Sequence, residues 1–203
     1  MLQNERAIAE DLRSLVQQAR QRDGQAFERI FQQFQRRIYN LVYQMVGQAE
    51  DAEDLTQEVF VRAYQGLPRL QQEETFPVWL HRIALNLCRS HLKRSRRWLS
   101  LVAEDAPTPA GETELDQVPD PAGTPLRQLE GAELQRVVRR AVASLPLHYR
   151  EVVVLHHLEG YDLETIAAML GCAEGTVKSR LARGRARLKE RLQDYVIGRR
   201  ERP

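Results

Sequence analysis

The sequence predicts an all-α protein of two small helical domains joined by a flexible, acidic, proline-rich linker. Apolar residues recur at spacings of three and four over most of the chain, and no alternating strand pattern bounded by hairpin turns occurs. Five of the nine prolines (107, 109, 119, 121, 125) fall between residues 99 and 130. The run VVVL at 152–155 is β-like but too isolated to pair. With 203 residues, 42% of them hydrophobic, the chain can build one or two cores at roughly 100–150 residues per domain.

The elements follow in order. A first helix over residues 8–20 sets Leu12, Leu15, Val16 and Ala19 on one face. A second over 26–46 carries Phe27, Ile30, Phe34, Ile38, Leu41 and Met45, with Gly24 and Gly47 marking its ends. In QAEDAEDLTQEVFVRAYQGLP the third buries Ala52, Leu55, Val59, Phe60 and Ala63, leaves Asp51, Asp54, Gln57 and Glu58 outside, and stops at Gly66 and Pro68. After the polar loop LQQEET, Phe76, Trp79, Leu80, Ile83, Ala84 and Leu87 phase a fourth helix that ends in a basic tail. Domain one is placed at 1–98.

Residues 99–130 are expected to be linker. From 103 to 130 there are seven acids and one Arg, too much charge and too little apolar surface to fold alone. Domain two is placed at 131–203. Its helical spacing runs through Leu134, Val137, Val138, Ala141, Val142 and Leu145, breaks at Pro146, resumes in REVVVLHHLEG, and ends in two helices over 162–170 and 174–195.

That last pair has the plan of a helix-turn-helix, whose second helix enters the major groove. Asp162 is placed to cap the first helix and Gly171 to take the positive φ of the turn. The stretch 174–191, EGTVKSRLARGRARLKER, holds seven Lys or Arg against two Glu, while the whole chain is only +2. Val177, Leu181 and Leu188 must face inward, which leaves Thr176, Lys178, Ser179, Arg180 and Arg183 outward near the N-terminus, with Arg187 a turn further. Arg183, Arg187 and Arg191 repeat every four residues with no acid among them, a repulsive arrangement unless a polyanion is present. A second basic cluster, RSHLKRSRRW at 89–98, holds Arg89, Lys93, Arg94, Arg96 and Arg97. Two basic surfaces separated by an acidic tether suggest one long DNA touched twice.

Other classes find little support. The five His (81, 91, 148, 156, 157) make no H-x-x-x-H pair, and no phosphate loop or nucleophile elbow is present, so no catalytic residue, metal site, cofactor or small-molecule substrate is expected. Cys88 and Cys172 stand in separate helical patterns with no CxxC, as buried small hydrophobes in a reducing cytosol do. The charged N-terminus disfavours secretion and no apolar run reaches membrane-spanning length, so a cytoplasmic protein is expected. A stand-alone helix-turn-helix regulator would need a sensor or dimer interface, and the first bundle suggests neither.

EDAEDLTQEVFVRAY, FPVWLHRIALNLCRSHLKR and LPLHYREVVVLHHLEGYDLETIAAMLGCAEGTVKSRLARGRARL, in that order, resemble the extracytoplasmic-function group of bacterial sigma factors. The resemblance covers about residues 21–192 without the linker. It implies a region-2 four-helix bundle, a region-4 helix-turn-helix domain, and a factor that binds core RNA polymerase, recognises promoter DNA and starts transcription. It assigns docking on the clamp coiled coil of the largest subunit to Asp54, Leu55, Gln57, Glu58 and Phe60, and implies a second contact with the flap of the other large subunit. It assigns the −10 element and its flank to the loop at 70–75, Asn86, Arg89, Lys93, Arg94, Arg96 and Arg97, with Asn86 binding an unstacked base. The −35 element falls to Thr176, Lys178, Ser179, Arg180, Arg183 and Arg187. An anti-sigma factor, holding the chain at the membrane in some members of the family, is a further implied partner.

The linker then has a mechanical purpose: elements about two helical turns apart lie roughly 60–70 Å apart, and its 32 residues extend to ~100 Å. Ser90, Ala173, Ala182 and His156 depart from the family's usual residues, which bears on the promoter sequence and not on the class.

Overall fold

Asp23 and Gly47 bracket the second helix in the computed structural model, which describes residues 2–102 and 125–200, with helical side chains described over 10–95 and 134–193. The Asp23 carboxylate accepts from the backbone N–H of Gln25 and Ala26, a cap that the sequence reading did not single out, and Gly47 closes the helix at φ 87°. Four helices make the first bundle: α1 (Leu2–Arg20), α2 (Gly24–Val46), α3 (Ala49–Gly66) and α4 (Phe76–Val102). Two 3₁₀ turns, Leu67–Arg69 and Glu73–Thr75, carry the chain from α3 to α4. Leu15, Val16, Ile30, Ile38, Met45, Val59, Phe76 and Leu80 are fully buried at its centre. Each large apolar side chain so buried stabilises the bundle by about 1.5–3 kcal/mol.

The second domain comprises α5 (Pro125–Ala143), α6 (Leu147–His157), α7 (Leu163–Leu170) and α8 (Glu174–Arg200). No strand occurs among the described residues. Helix therefore enters both ends of the expected linker: α4 continues through 102 because no breaker precedes Pro107, and α5 begins at Pro125, a residue preset for the first helical position. The remainder of that linker, 103–124, lies outside the described residues.

VVVL is helical because tertiary enclosure decides its state. Seven consecutive residues of α6, Tyr149 to Leu155, are buried, which covers every direction around a helix. One side is held by α8 and the other by α2. Arg150 lies within this run, and its guanidinium donates to Met45 O at the end of α2 and to Ala143 O and Leu145 O at the end of α5. It thereby supplies donors to the terminal carbonyls of two helix C-termini, one in each bundle.

Candidate nucleic-acid interface

The turn between α7 and α8 is built as its residues dictate. The Asp162 carboxylate accepts from Thr165 N–H at 2.7 Å, and these backbone donors hold its carboxyl below the usual range. Gly171 ends α7 at φ 64°. Ile166, Ala167 and Met169 of α7 and Val177 and Leu181 of α8 are buried between the helices. The sequence reading omitted Gly184, which lies on the same inward stripe because Val177, Leu181, Gly184 and Leu188 are spaced 0, 4, 7 and 11 along the helix. Its lack of a side chain lets α8 approach α6 closely.

At about 100° per residue, the outward set of α8 divides. Thr176, Arg180, Arg183 and Arg187 form one row beside the core stripe; Thr176 and Arg180 are half-buried, and Arg183 and Arg187 exposed. Lys178 and Ser179 stand free of that row and are exposed, with the Ser179 hydroxyl donating to Thr176 O. Arg187 reaches back over the Tyr149 ring at 5.2 Å, so part of its side chain is fixed by the fold. Arg185 donates to His157 Nε2 at 2.9 Å. Desolvation first, then the Arg185 charge, hold the His157 imidazolium below its ordinary pKa. Although adjacent residues diverge on a helix, the rings of His156 and His157 meet edge to face at 4.9 Å.

On α4, Asn86, Arg89 and Lys93 recur at three and four residues and form one row. Asn86, Lys93 and Arg94 are exposed; Arg96 and Arg97 fall outside the residues whose side chains are described. Arg89 donates to Asn86 Oδ1 at 3.2 Å and also pairs with the buried Glu151 of α6. Trp79 packs on Phe76, ring centroids 5.9 Å apart, and over Gly66. The loop before α4 is tied down: Glu73 pairs with Arg20, Glu74 pairs with Arg13 at 2.7 Å, and the Thr75 hydroxyl donates to Gln72 O. Leu70 is buried, which leaves Gln71 and Gln72 as the exposed side chains at its centre.

The five residues singled out on α3 do not share one surface. Asp54 and Gln57 are exposed and Glu58 pairs with Arg62 at 2.7 Å, whereas Leu55 and Phe60 belong to the core, Phe60 against Phe31. The outer row instead includes Val61, 49% exposed. Its off-phase position in EVFVRAY was the available signal.

A polar seam between the bundles escaped sequence reasoning. Glu159 accepts from Arg37 Nε at 2.6 Å and lies 3.0 Å from His81 Nε2, while Arg37 also donates to the Glu159 backbone carbonyl. Tyr161 Oη lies 3.2 Å from His81 Nδ1, and that nitrogen also lies 2.7 Å from Pro77 O. His81 is fully buried. Among the described residues no group of three or more His, Cys, Asp or Glu is arranged to hold a metal ion, and no helix is long and apolar enough to cross a membrane.

Residues 30–98 match the family described as Sigma-70 region 2, and residues 135–188 match Sigma-70, region 4. The chain is 33% identical over 183 residues to the ECF RNA polymerase sigma factor SigW of Bacillus subtilis (strain 168), covering 90% of this chain and 97% of that protein. Its fold resembles that of CnrH, solved in complex with the cytosolic domain of CnrY, with TM-score 0.65, 26% identity and coverage of 91% and 98%. It also resembles the sigma factor RpoE of Bartonella quintana, solved with the anti-sigma factor NepR, with TM-score 0.66, 23% identity and coverage of 82% and 96%.

Proposed function

This chain belongs to the extracytoplasmic-function group of RNA polymerase sigma factors, and from that premise we propose how its surfaces divide the work. The outer row of α3 (Asp54, Gln57, Glu58 and Val61) docks on the clamp coiled coil of core polymerase. The row Asn86, Arg89 and Lys93 on α4, with Gln71 and Gln72 of the preceding loop, engages the −10 element. The N-terminal turns of α8 read the −35 element through Lys178, Ser179, Arg180 and Arg183. The observation that carries this reading is the presence of two cationic helix rows, one on each bundle, in one chain of this family.

The division of roles follows from the chemistry. Guanidinium forks and hydroxyls at the start of a recognition helix suit base edges, while the later cations suit phosphates, which position without specifying sequence. An amide such as Asn86 can bond the Watson–Crick edge of an unstacked base, and extruding one costs a few kcal/mol. Promoter melting therefore relies on the polymerase as well, and the factor itself performs no catalysis. It acts in the cytoplasm, where polymerase and promoter are, and an anti-sigma factor binding between its two bundles would deny it to the polymerase.

Co-elution with purified core enzyme and initiation on genomic promoter fragments test the reading. The expected result is a stable complex, specific transcripts, and weak DNA binding by the chain alone. Tight binding of a palindromic operator as a dimer, with no initiation, would overturn it.

A further inference from the structure

We propose that α1 carries two positioning residues for promoter reading: Arg13 and Arg20 strap down the Glu73–Thr75 turn, so that Gln71 and Gln72 are presented in one orientation. This rests on the promoter reading above, which gives those two glutamines to the −10 element. Arg13 and Arg20 stand seven residues apart, two turns along one face of α1, and Glu73 and Glu74 are consecutive on the 3₁₀ turn. Arg20 pairs with Glu73, both half-buried, and Arg13 pairs with Glu74 at 2.7 Å. One helix face thus grips two successive residues of one turn, and α1 packs against both 3₁₀ turns.

The remaining bonds of the loop are local. Residues 71–75 separate buried Leu70 from buried Phe76. On one side the Leu70 N–H donates to Leu67 O at 3.0 Å; on the other, the Thr75 N–H and hydroxyl both donate to Gln72 O. The two ion pairs are what join this loop to α1. The grip is itself anchored. Just past α1, Arg22 sits in the left-handed region at φ 70°, where a non-glycine residue is uncommon. Its guanidinium lies 5.3 Å from the centroid of the Tyr64 ring, a contact that holds the end of α1, next to Arg20, against α3.

Base reading by an amide depends on such preorganisation. A glutamine recognises a base through a donor and an acceptor used together, so its backbone must be fixed before contact. A loop ordered only on binding loses affinity to the entropy of ordering its long side chains. It also lets other bases find alternative bonds, so discrimination falls along with affinity. Charge points the same way. The Glu73 N–H first, and the Arg20 guanidinium second, hold the Glu73 carboxyl below the usual carboxylate range, so it is ionised beside the DNA-reading loop. Pairing with the two arginines offsets both negative charges there. Exposed ion pairs add little to folding stability. The effect of the strap therefore falls on loop orientation and not on whether the bundle folds.

The test is initiation by core polymerase with this chain on a library in which the proximal block of one genomic promoter it uses is randomised. Arg13→Ala with Arg20→Ala is expected to lower discrimination within that block roughly tenfold, the cost of ordering two side chains on binding. Preference at the distal block, co-elution with core enzyme and the thermal midpoint should stay at wild-type values. Adding Gln71→Ala with Gln72→Ala should lower discrimination no further, and Arg20→Glu with Glu73→Arg should restore more of it than either change alone. If the arginine variant fails to fold by circular dichroism, Glu73→Gln with Glu74→Gln breaks the same pairs from the loop side. The strap predicts lost discrimination in that variant; tighter use of every sequence with discrimination intact would overturn it. So would a folded arginine variant with wild-type discrimination, or one that loses preference equally at both blocks. If Gln71→Ala with Gln72→Ala by itself leaves the proximal preference unchanged, the −10 reading of the loop is wrong, and the strap falls with it.

Discussion

Gly184 of α8 lies against Val153 of α6 so closely that a Cβ at position 184 would come within 2.8 Å of Val153 Cγ2 and 3.5 Å of Tyr149 Cβ. Replacing a helical Gly by Ala ordinarily stabilises by about 1 kcal/mol, but overpacking a filled core costs about 1–3 kcal/mol. Gly184→Ala is therefore expected to lower the urea midpoint, while Gly175→Ala, with nothing within 4 Å, should leave it unchanged or raise it. Adding Val153→Ala should recover part of the loss. Additive effects in that double variant would argue against the contact.

Lys178→Ala with Arg183→Ala should weaken binding of duplex DNA carrying the −35 element and flatten its salt dependence. If each cation meets one phosphate, the slope of log K against log salt falls by about 0.9 per residue; a cation on a base edge leaves the slope nearly unchanged and relaxes sequence preference. Core-polymerase binding should be unaffected. Loss of that binding would mean that the surfaces are assigned wrongly.

Burial would raise the Glu159 carboxyl, but hydrogen bonds from His81 and Arg37 outweigh it and hold it below the ordinary 4.5. A depressed carboxylate contributes stability that is complete above its unfolded pKa and is lost as pH falls through the folded one. The seam should thus hold at neutral pH and loosen in acid below about 4.5. Glu159→Gln should remove that acid-dependent component, read as radius against pH. An unchanged acid profile in the variant would assign the effect elsewhere.

Cys88 is fully buried, and burial first, then the Glu151 charge, push its thiol up to about 12, so the thiolate is scarce at neutral pH. Native protein should label with a disulfide reagent at Cys172, which is only half-buried, and Cys172→Ser should abolish native labelling. Rapid modification of Cys88 in the folded chain would contradict this.

Much of this was legible in the sequence because it is local. The Asp162 cap, the Gly171 turn and the inward phase of Val177 and Leu181 depend on residues a few positions apart. The seam was not, since its partners lie far apart in sequence: Arg37 and Glu159 are separated by 122 positions, and Arg89 and Glu151 by 62. One signal was present. VVVL at 152–155 is apolar in every direction around a helix, and a helix enclosed on all sides requires a second neighbour beyond its own small domain. Leu55 and Phe60 look like docking residues in a motif, but their helical phase places them with the core.

The most direct test of the sigma assignment is to map the 5′ ends of transcripts made from a genomic fragment library by core polymerase with and without this chain. New start sites should share two upstream sequence blocks about two helical turns apart. Use of the distal block should respond to Lys178→Ala with Arg183→Ala, and use of the proximal block to Asn86→Ala. Start sites that share no such pair of blocks, or that respond to neither variant, would contradict the account.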